Sequence, residues 1–172
     1  MARVRIAYIG GGSTRAPAIA LGLIKRAAAF AGSELVLIDV DEGRLGIIER
    51  LARRMAEAAG ADVRFSATTD RRRGLEGADI VLSSFRPGGF EARVLDETIP
   101  LRHGVIGQET QGPGGFFMAL RAIHALRPML DDMDAACPGA LLVNYTNPVN
   151  VVADAVSRFT DRRVISLCEG PI

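Results

Sequence analysis

Gly10 and Gly12 stand in a G-x-G spacing directly after an apolar run and before a helical pattern. Glycines at that place let backbone N–H groups approach a pyrophosphate at the start of a helix. Ser13 and Thr14 follow, and Arg15 holds the place of a third glycine. Asp39 closes the second apolar run, where a carboxylate accepts from adenosine ribose hydroxyls and repels a 2′-phosphate; the pattern points to NAD rather than NADP. A tight strand-to-helix turn accounts for the same glycines without a ligand. A helix cap does so for Asp39, although Asp41 is equally placed to cap.

Other residues of chemical interest also follow apolar runs. Asn144-Tyr145-Thr146-Asn147-Pro148 offers two amides that could bridge cofactor and substrate, and turn chemistry explains Asn147-Pro148 equally well. Cys168 ends the last run; from its residue type alone it reads as a small buried hydrophobe. No HExxH, paired histidine or cysteine cluster accompanies it, so the sequence assembles no complete metal site. His124 lies in a helical pattern and reads as a surface or packing residue, whereas His103 sits in a more open stretch. Cys137-Pro138-Gly139 reads as a helix stop, and Arg71-Arg72-Arg73 as a solvated turn.

The elements that must position these residues alternate. Short apolar runs at 3–9, 34–40, 62–67, 79–84, 140–144 and 163–167 predict six strands, and apolar spacing at 16–30, 42–59 and 116–133 predicts helices. Continuous apolar strands imply burial on both faces. The expectation is an α/β fold with a doubly wound parallel sheet, a Rossmann-type domain occupying residues 1–172. In such sheets ligands sit outside the carboxyl ends of the strands, where the polar residues above fall. Residues 85–115, rich in Gly, Pro, Arg and acid, read as one long functional loop.

Composition narrows the partners. Lys and Arg total 21 against 20 for Asp and Glu, a net charge of +1 that gives no electrostatic case for nucleic acid or an anionic membrane. The apolar run 16–24 stops at Lys25-Arg26, short of the roughly 18 to 20 residues of a membrane span, and the run 6–9 is too short for a signal sequence. Two cysteines make no disulfide framework, so a reducing cytoplasm is the expected setting.

Four stretches together resemble family 4 of the glycoside hydrolases, the NAD- and divalent-metal-dependent glycosidases. They are IGGGST (9–14), FRPGGFEARVLDETIPLRHGVIGQETQGPGG (85–115), NYTNPVN (144–150) and LCEGP (167–171). The second is close to diagnostic, because a G-x-G alone is shared by every Rossmann dehydrogenase. NAD-dependent glycosidases depart from the two-carboxylate scheme of most glycoside hydrolases. The resemblance implies hydride transfer from sugar C3 to NAD⁺, which acidifies the C2 proton. Deprotonation assisted by a metal, typically Mn²⁺, then leads to loss of the C1 leaving group.

Carried over by position, Cys168 matches a metal ligand, and Arg93 and Asn147 match substrate-binding residues. Glu109 matches an acid that tunes the catalytic base, and Glu169 stands where some members carry a proton donor. The implied substrate is a phosphorylated glucoside or disaccharide, with the 6-phospho-β-glucoside preferred. The family's second metal ligand, a histidine, and its tyrosine base have no counterpart in these residues. The resemblance therefore covers a nucleotide-binding half, expected to be inactive alone, to expose an apolar patch and to form a homo-oligomer. The alternatives are a 6-phospho-α-glucosidase or α-galactosidase of the same family, an NAD-dependent 2-hydroxyacid dehydrogenase, and a non-catalytic nucleotide-binding module.

Overall fold

The computed structural model describes residues 3–168. Its elements run β1 (Arg5–Ile9), α1 (Ala16–Ile24), α2 (Ala27–Phe30), β2 (Ser33–Ile38), α3 (Glu42–Ala59), β3 (Val63–Thr68), α4 (Arg71–Leu75) and β4 (Ile80–Ser83). They continue with α5 (Gly89–Leu101), α6 (Gly112–Ala136), β5 (Leu141–Asn144), α7 (Val149–Phe159) and β6 (Val164–Ser166). The six strands form one sheet in the order β3-β2-β1-β4-β5-β6, with β1–β2, β1–β4, β2–β3 and β5–β6 parallel. This is the Rossmann order, and its direction reverses between β1 and β4. The predicted α/β class and all six strands are present.

The chain divides into two compact units. The first runs through Ser83 and takes up Asp132–Leu141; the second comprises Ser84–Asp131 and the chain from Leu142 onward. In the first unit Ile6, Tyr8, Leu35, Leu37, Val63 and Phe65 point to one face of the sheet and form the core with α1 and α3. Alternation sends Ile38 and Thr68 to the other face, where a Cβ at Gly74 of α4 would meet them. Strands buried on both sides read as unbroken apolar runs for this reason. In the second unit α7 packs against β6 through a face that buries Val152, Ala155 and Val156.

Three expectations are corrected. The helical stretch 16–30 is two helices, because the chain turns at Lys25-Arg26. Arg71-Arg72-Arg73 opens α4, capped by Asp70, and is not a free turn: Arg71 and Arg72 both donate to Asp132, which is buried. The long loop at 85–115 holds all of α5 and the first turn of α6. Gly88, at φ 83, leads directly into α5, and Pro113 lies in the first turn of α6, where its missing N–H removes no helical bond. No helix among the described residues is long and apolar enough to cross a membrane.

Candidate functional site

In the first unit the turn after β1 is sewn to the end of β2. Gly10 takes φ 95, and the N–H groups of Gly10 and Gly11 both donate to Ile38 O at 2.9 Å. A Cβ on Gly11 would lie 2.8 Å from Ile38 N and Leu37 Cα, so only glycine permits this approach. The Gly12 N–H donates to Asp39 Oδ2 at 2.8 Å, and Asp39 Oδ1 accepts from the Asp41 N–H at 3.1 Å. Asp41 in turn accepts from the Arg44 N–H at 2.9 Å and caps α3. Asp39 therefore ties the glycine turn to the strand end and leaves the cap to its neighbour.

These bonds alter the expected role of Gly10 and Gly12, whose N–H groups are turned inward onto protein acceptors. A donor left open in this turn is the N–H of exposed Thr14, which makes no hydrogen bond among the described residues. Ser13 Oγ lies 3.1 Å from the hydroxyl of fully buried Tyr8, which anchors the turn from below. The glycines set a tight turn at the carboxyl end of β1 beside the switch point, and exposed Thr14 offers the donor.

In the second unit two arginines converge on Glu109. Arg86 Nη2 lies 2.6 Å from Glu109 Oε1, and Arg93 Nη1 lies 3.4 Å from Oε2. Arg86 also faces the Phe90 ring, 5.6 Å from its centroid, and its Nη1 reaches Met118 Sδ at 3.7 Å. Glu109 Oε1 is buried and accepts no well-aligned hydrogen bond, so Arg86 compensates it by charge alone. Arg93 is shared, since its Nε donates to Glu97 at 2.6 Å across one turn of α5. This hydrogen bond, against some desolvation and with help from the charges of Glu109 and Glu97, holds the Arg93 guanidinium above its ordinary pKa.

Two devices place this cluster. Arg121 of α6 grips buried Asp96 of α5 through both carboxylate oxygens. The segment between the helices and the start of α6 then pass so close to α5 that a Cβ on Gly107 would collide with Glu97 O, and one on Gly114 with Asp96 O. Arg86, Glu97, Asp96 and Arg121 were not singled out from the sequence. The i, i+4 spacing of Arg93 and Glu97 was a usable signal, but only once residues 89–101 are known to be helical.

After β5 the two amides separate in role. Asn144 is fully buried; its Oδ1 accepts from the Thr146 N–H at 2.9 Å and its Nδ2 donates to Thr146 O at 3.2 Å. That amide is spent on the turn. Thr146 Oγ1 accepts from the Phe85 N–H at 3.3 Å, so the segment after β5 is bonded to the one that carries Arg86. Asn147 is half-buried, and its side chain makes no hydrogen bond among the described residues.

Cys168 is exposed just beyond β6, against its unaided reading as a buried thiol. Cys137 is buried at the end of α6. Glu169 lies outside the described residues. No three His, Cys, Asp or Glu side chains among the described residues come together to hold a metal ion, so Cys168 belongs to no such group there. His103 and His124 are both exposed.

Strand order and glycine turn together define the class: a Rossmann-type dinucleotide-binding fold. Over residues 5–172 the sequence matches the family described as Family 4 glycosyl hydrolase, and the chain belongs to that family. It is 45% identical over 172 residues to a probable 6-phospho-beta-glucosidase of Bacillus subtilis, covering 98% of this chain and 39% of that protein. It superimposes with a TM-score of 0.92 on a 6-phospho-alpha-glucosidase from gut microorganisms solved with NAD and Mn²⁺, at 31% identity, 99% of this chain and 39% of that one. With the 6-phospho-beta glucosidase of Thermotoga maritima, solved with NAD and glucose-6-phosphate, the TM-score is 0.91 at 33% identity, 99% and 40% coverage. The chain thus spans about two-fifths of the length of these relatives. A lactate dehydrogenase of Eimeria maxima, 16% identical with a TM-score of 0.69, covers 96% of this chain and 44% of that one and shares the fold alone.

Proposed function

We propose that the protein serves a 6-phosphoglucosidase that uses NAD and a divalent metal, Mn²⁺ in the first instance, with the β-anomer as preferred substrate. The observation that carries this reading is the meeting of Arg86 and Arg93 on Glu109 within the second unit, in a chain of this family. A guanidinium that is only partly committed suits a sugar phosphate, because charge-assisted hydrogen bonds to phosphate are strong and directional. The identity to a 6-phospho-β-glucosidase supports the anomeric preference.

The turn at Gly10 and Gly12, with Ser13, the open Thr14 N–H and Asp39, suits NAD, with Asp39 assigned to the ribose hydroxyls. Bound there, NAD⁺ would supply a hydride acceptor for C3 of the sugar. Arg93 binds the phosphate, Asn147 offers its unspent amide to a sugar hydroxyl, and Glu109 orients the base. Cys168 is assigned as one metal ligand and Glu169 as a proton donor. The metal's remaining ligands are not among the described residues. Exposed Phe90, Val94, Leu101, Ile106 and Phe116 in the second unit support a homo-oligomer, which sedimentation equilibrium tests.

The deciding experiment is hydrolysis of p-nitrophenyl β-glucoside 6-phosphate by the complete protein, with NAD⁺ and Mn²⁺ each added or withheld. Turnover that needs both, exceeds that of the α-anomer and fails with the unphosphorylated glucoside is the expected result. Intact NAD binding without hydrolysis of either anomer would overturn the reading and leave a nucleotide-binding module.

A further inference from the structure

Arg93 has one of its two-donor edges engaged and the other flanked by a carboxylate. A guanidinium grips a phosphate through a pair of parallel N–H groups, either Nε with Nη2 or Nη1 with Nη2. Glu97 holds Nε at 2.6 Å, which occupies one edge, and Glu109 flanks the other as an ion pair, 3.4 Å from Nη1 and without a hydrogen bond. The four groups Arg86, Arg93, Glu97 and Glu109 also balance in charge, so an incoming phosphate meets a neutral cluster.

The two carboxylates differ in how readily they let go. Glu109 is the more buried and has Arg86 at 2.6 Å as a second cation, so its long contact to Arg93 is dispensable. Glu97 has a short bond to Arg93 and no other ion-pair partner among the described residues, yet its side chain is 35% exposed, so water can solvate it on release. Arg93 leaving Glu97 therefore strands no buried charge, and Arg86 stays behind to keep Glu109 compensated.

From this we infer that Glu97 is a specificity-determining residue: it occupies Arg93 in the absence of ligand, and the anionic group of the substrate must displace it. The inference rests on Arg93 as the phosphate-binding residue. Glu97 opposes every anion at Arg93, and a ligand able to use both donors of the fork offsets that competition best. A dianionic phosphate monoester meets that condition, whereas a neutral sugar gains nothing from Arg93.

The test is calorimetric titration of the complete protein with glucose 6-phosphate and with inorganic phosphate, in three variants. Glu97→Gln keeps helix propensity and size but removes the competing charge; it is expected to bind both probes about two- to fivefold more tightly, the scale of a helical ion pair plus the lost repulsion. Glu97→Asp, which keeps the charge, is expected to show a smaller gain, and the gain of the Gln variant is expected to shrink as NaCl screens the charges. Arg93→Met is expected to weaken both probes. If Arg93→Met weakens binding while Glu97→Gln leaves it unchanged or weaker, the role of Glu97 is overturned and that of Arg93 survives. If Arg93→Met changes nothing, both fall.

Discussion

The nucleotide turn of the first unit and the acid–arginine cluster of the second are built on opposite principles. The turn is made of backbone: Gly10 and Gly11 bond to one carbonyl of β2, and the side chain that matters most, Asp39, is bonded to a main-chain N–H. The cluster is made of side chains, with four charged groups drawn from the segment after β4, from α5 and from the chain between α5 and α6. A backbone site is rigid because sheet and turn share hydrogen bonds. A side-chain site keeps its shape only while its helices are tethered, and it can exchange one partner for another.

The tether offers the largest test of that contrast. Asp96→Ala removes a buried carboxylate and strands Arg121, whose side chain keeps some access to water. Breaking such a pair is expected to cost about 3 kcal/mol in denaturant unfolding, the lower end for a buried ion pair. The cluster should loosen with it, seen as lost glucose 6-phosphate binding. A rigid turn predicts a different failure. Gly11→Ala drives a Cβ into Ile38 N and Leu37 Cα, and strain of about 1–3 kcal/mol is expected to weaken NAD about tenfold by fluorescence titration. Unchanged NAD affinity would show that the turn yields.

Asp39→Ala sharpens the comparison further, since the same carboxylate ties the turn and is proposed to face the ribose. NAD affinity is expected to fall about tenfold while NADP affinity rises relative to it. The smallest effect concerns Asp132. Burial works to raise its pKa, but hydrogen bonds from Arg72 and Arg71 and their charges hold it below the ordinary carboxylate value. Its contribution to stability is thus complete above the unfolded-state value near 4 and is lost as pH falls through the lower folded value. Thermal melts between about pH 5 and 2 should show this loss, and Asp132→Asn should flatten that part of the profile.

Much of the first unit was legible in the residues. Helix α3 has the predicted bounds, Glu42–Ala59, because a capping Asp41 precedes it, Gly60 follows it in the left-handed conformation, and Leu45, Ala52 and Ala56 recur at helical spacing between them. Helix α5 was hidden. Pro87-Gly88-Gly89 and Pro100 frame it with turn residues, and Phe90, Val94 and Ile99 of its apolar pattern face outward, so the pattern did not declare a core. Reading 85–115 as loop also hid the Arg93–Glu97 pair, which exists only at helical spacing. Arg93 and Glu109 are legible only through family resemblance; Asn147 and Cys168 stand out at strand ends, but their roles come from the resemblance, and nothing in local spacing separates Asn147 from Asn144.

Short-range chemistry alone therefore determined the alternating elements, the glycine turn after β1 and the acid after β2, since each depends on residues near one another in the chain. Tertiary structure alone decided that Asp39 reaches the Gly12 N–H, that Thr146 bonds to Phe85, and that Arg86 and Arg93 share Glu109. Hydrogen bonds and ion pairs between distant residues depend on which strand ends and helices the fold brings within about 3 Å, and a linear sequence carries no such distances.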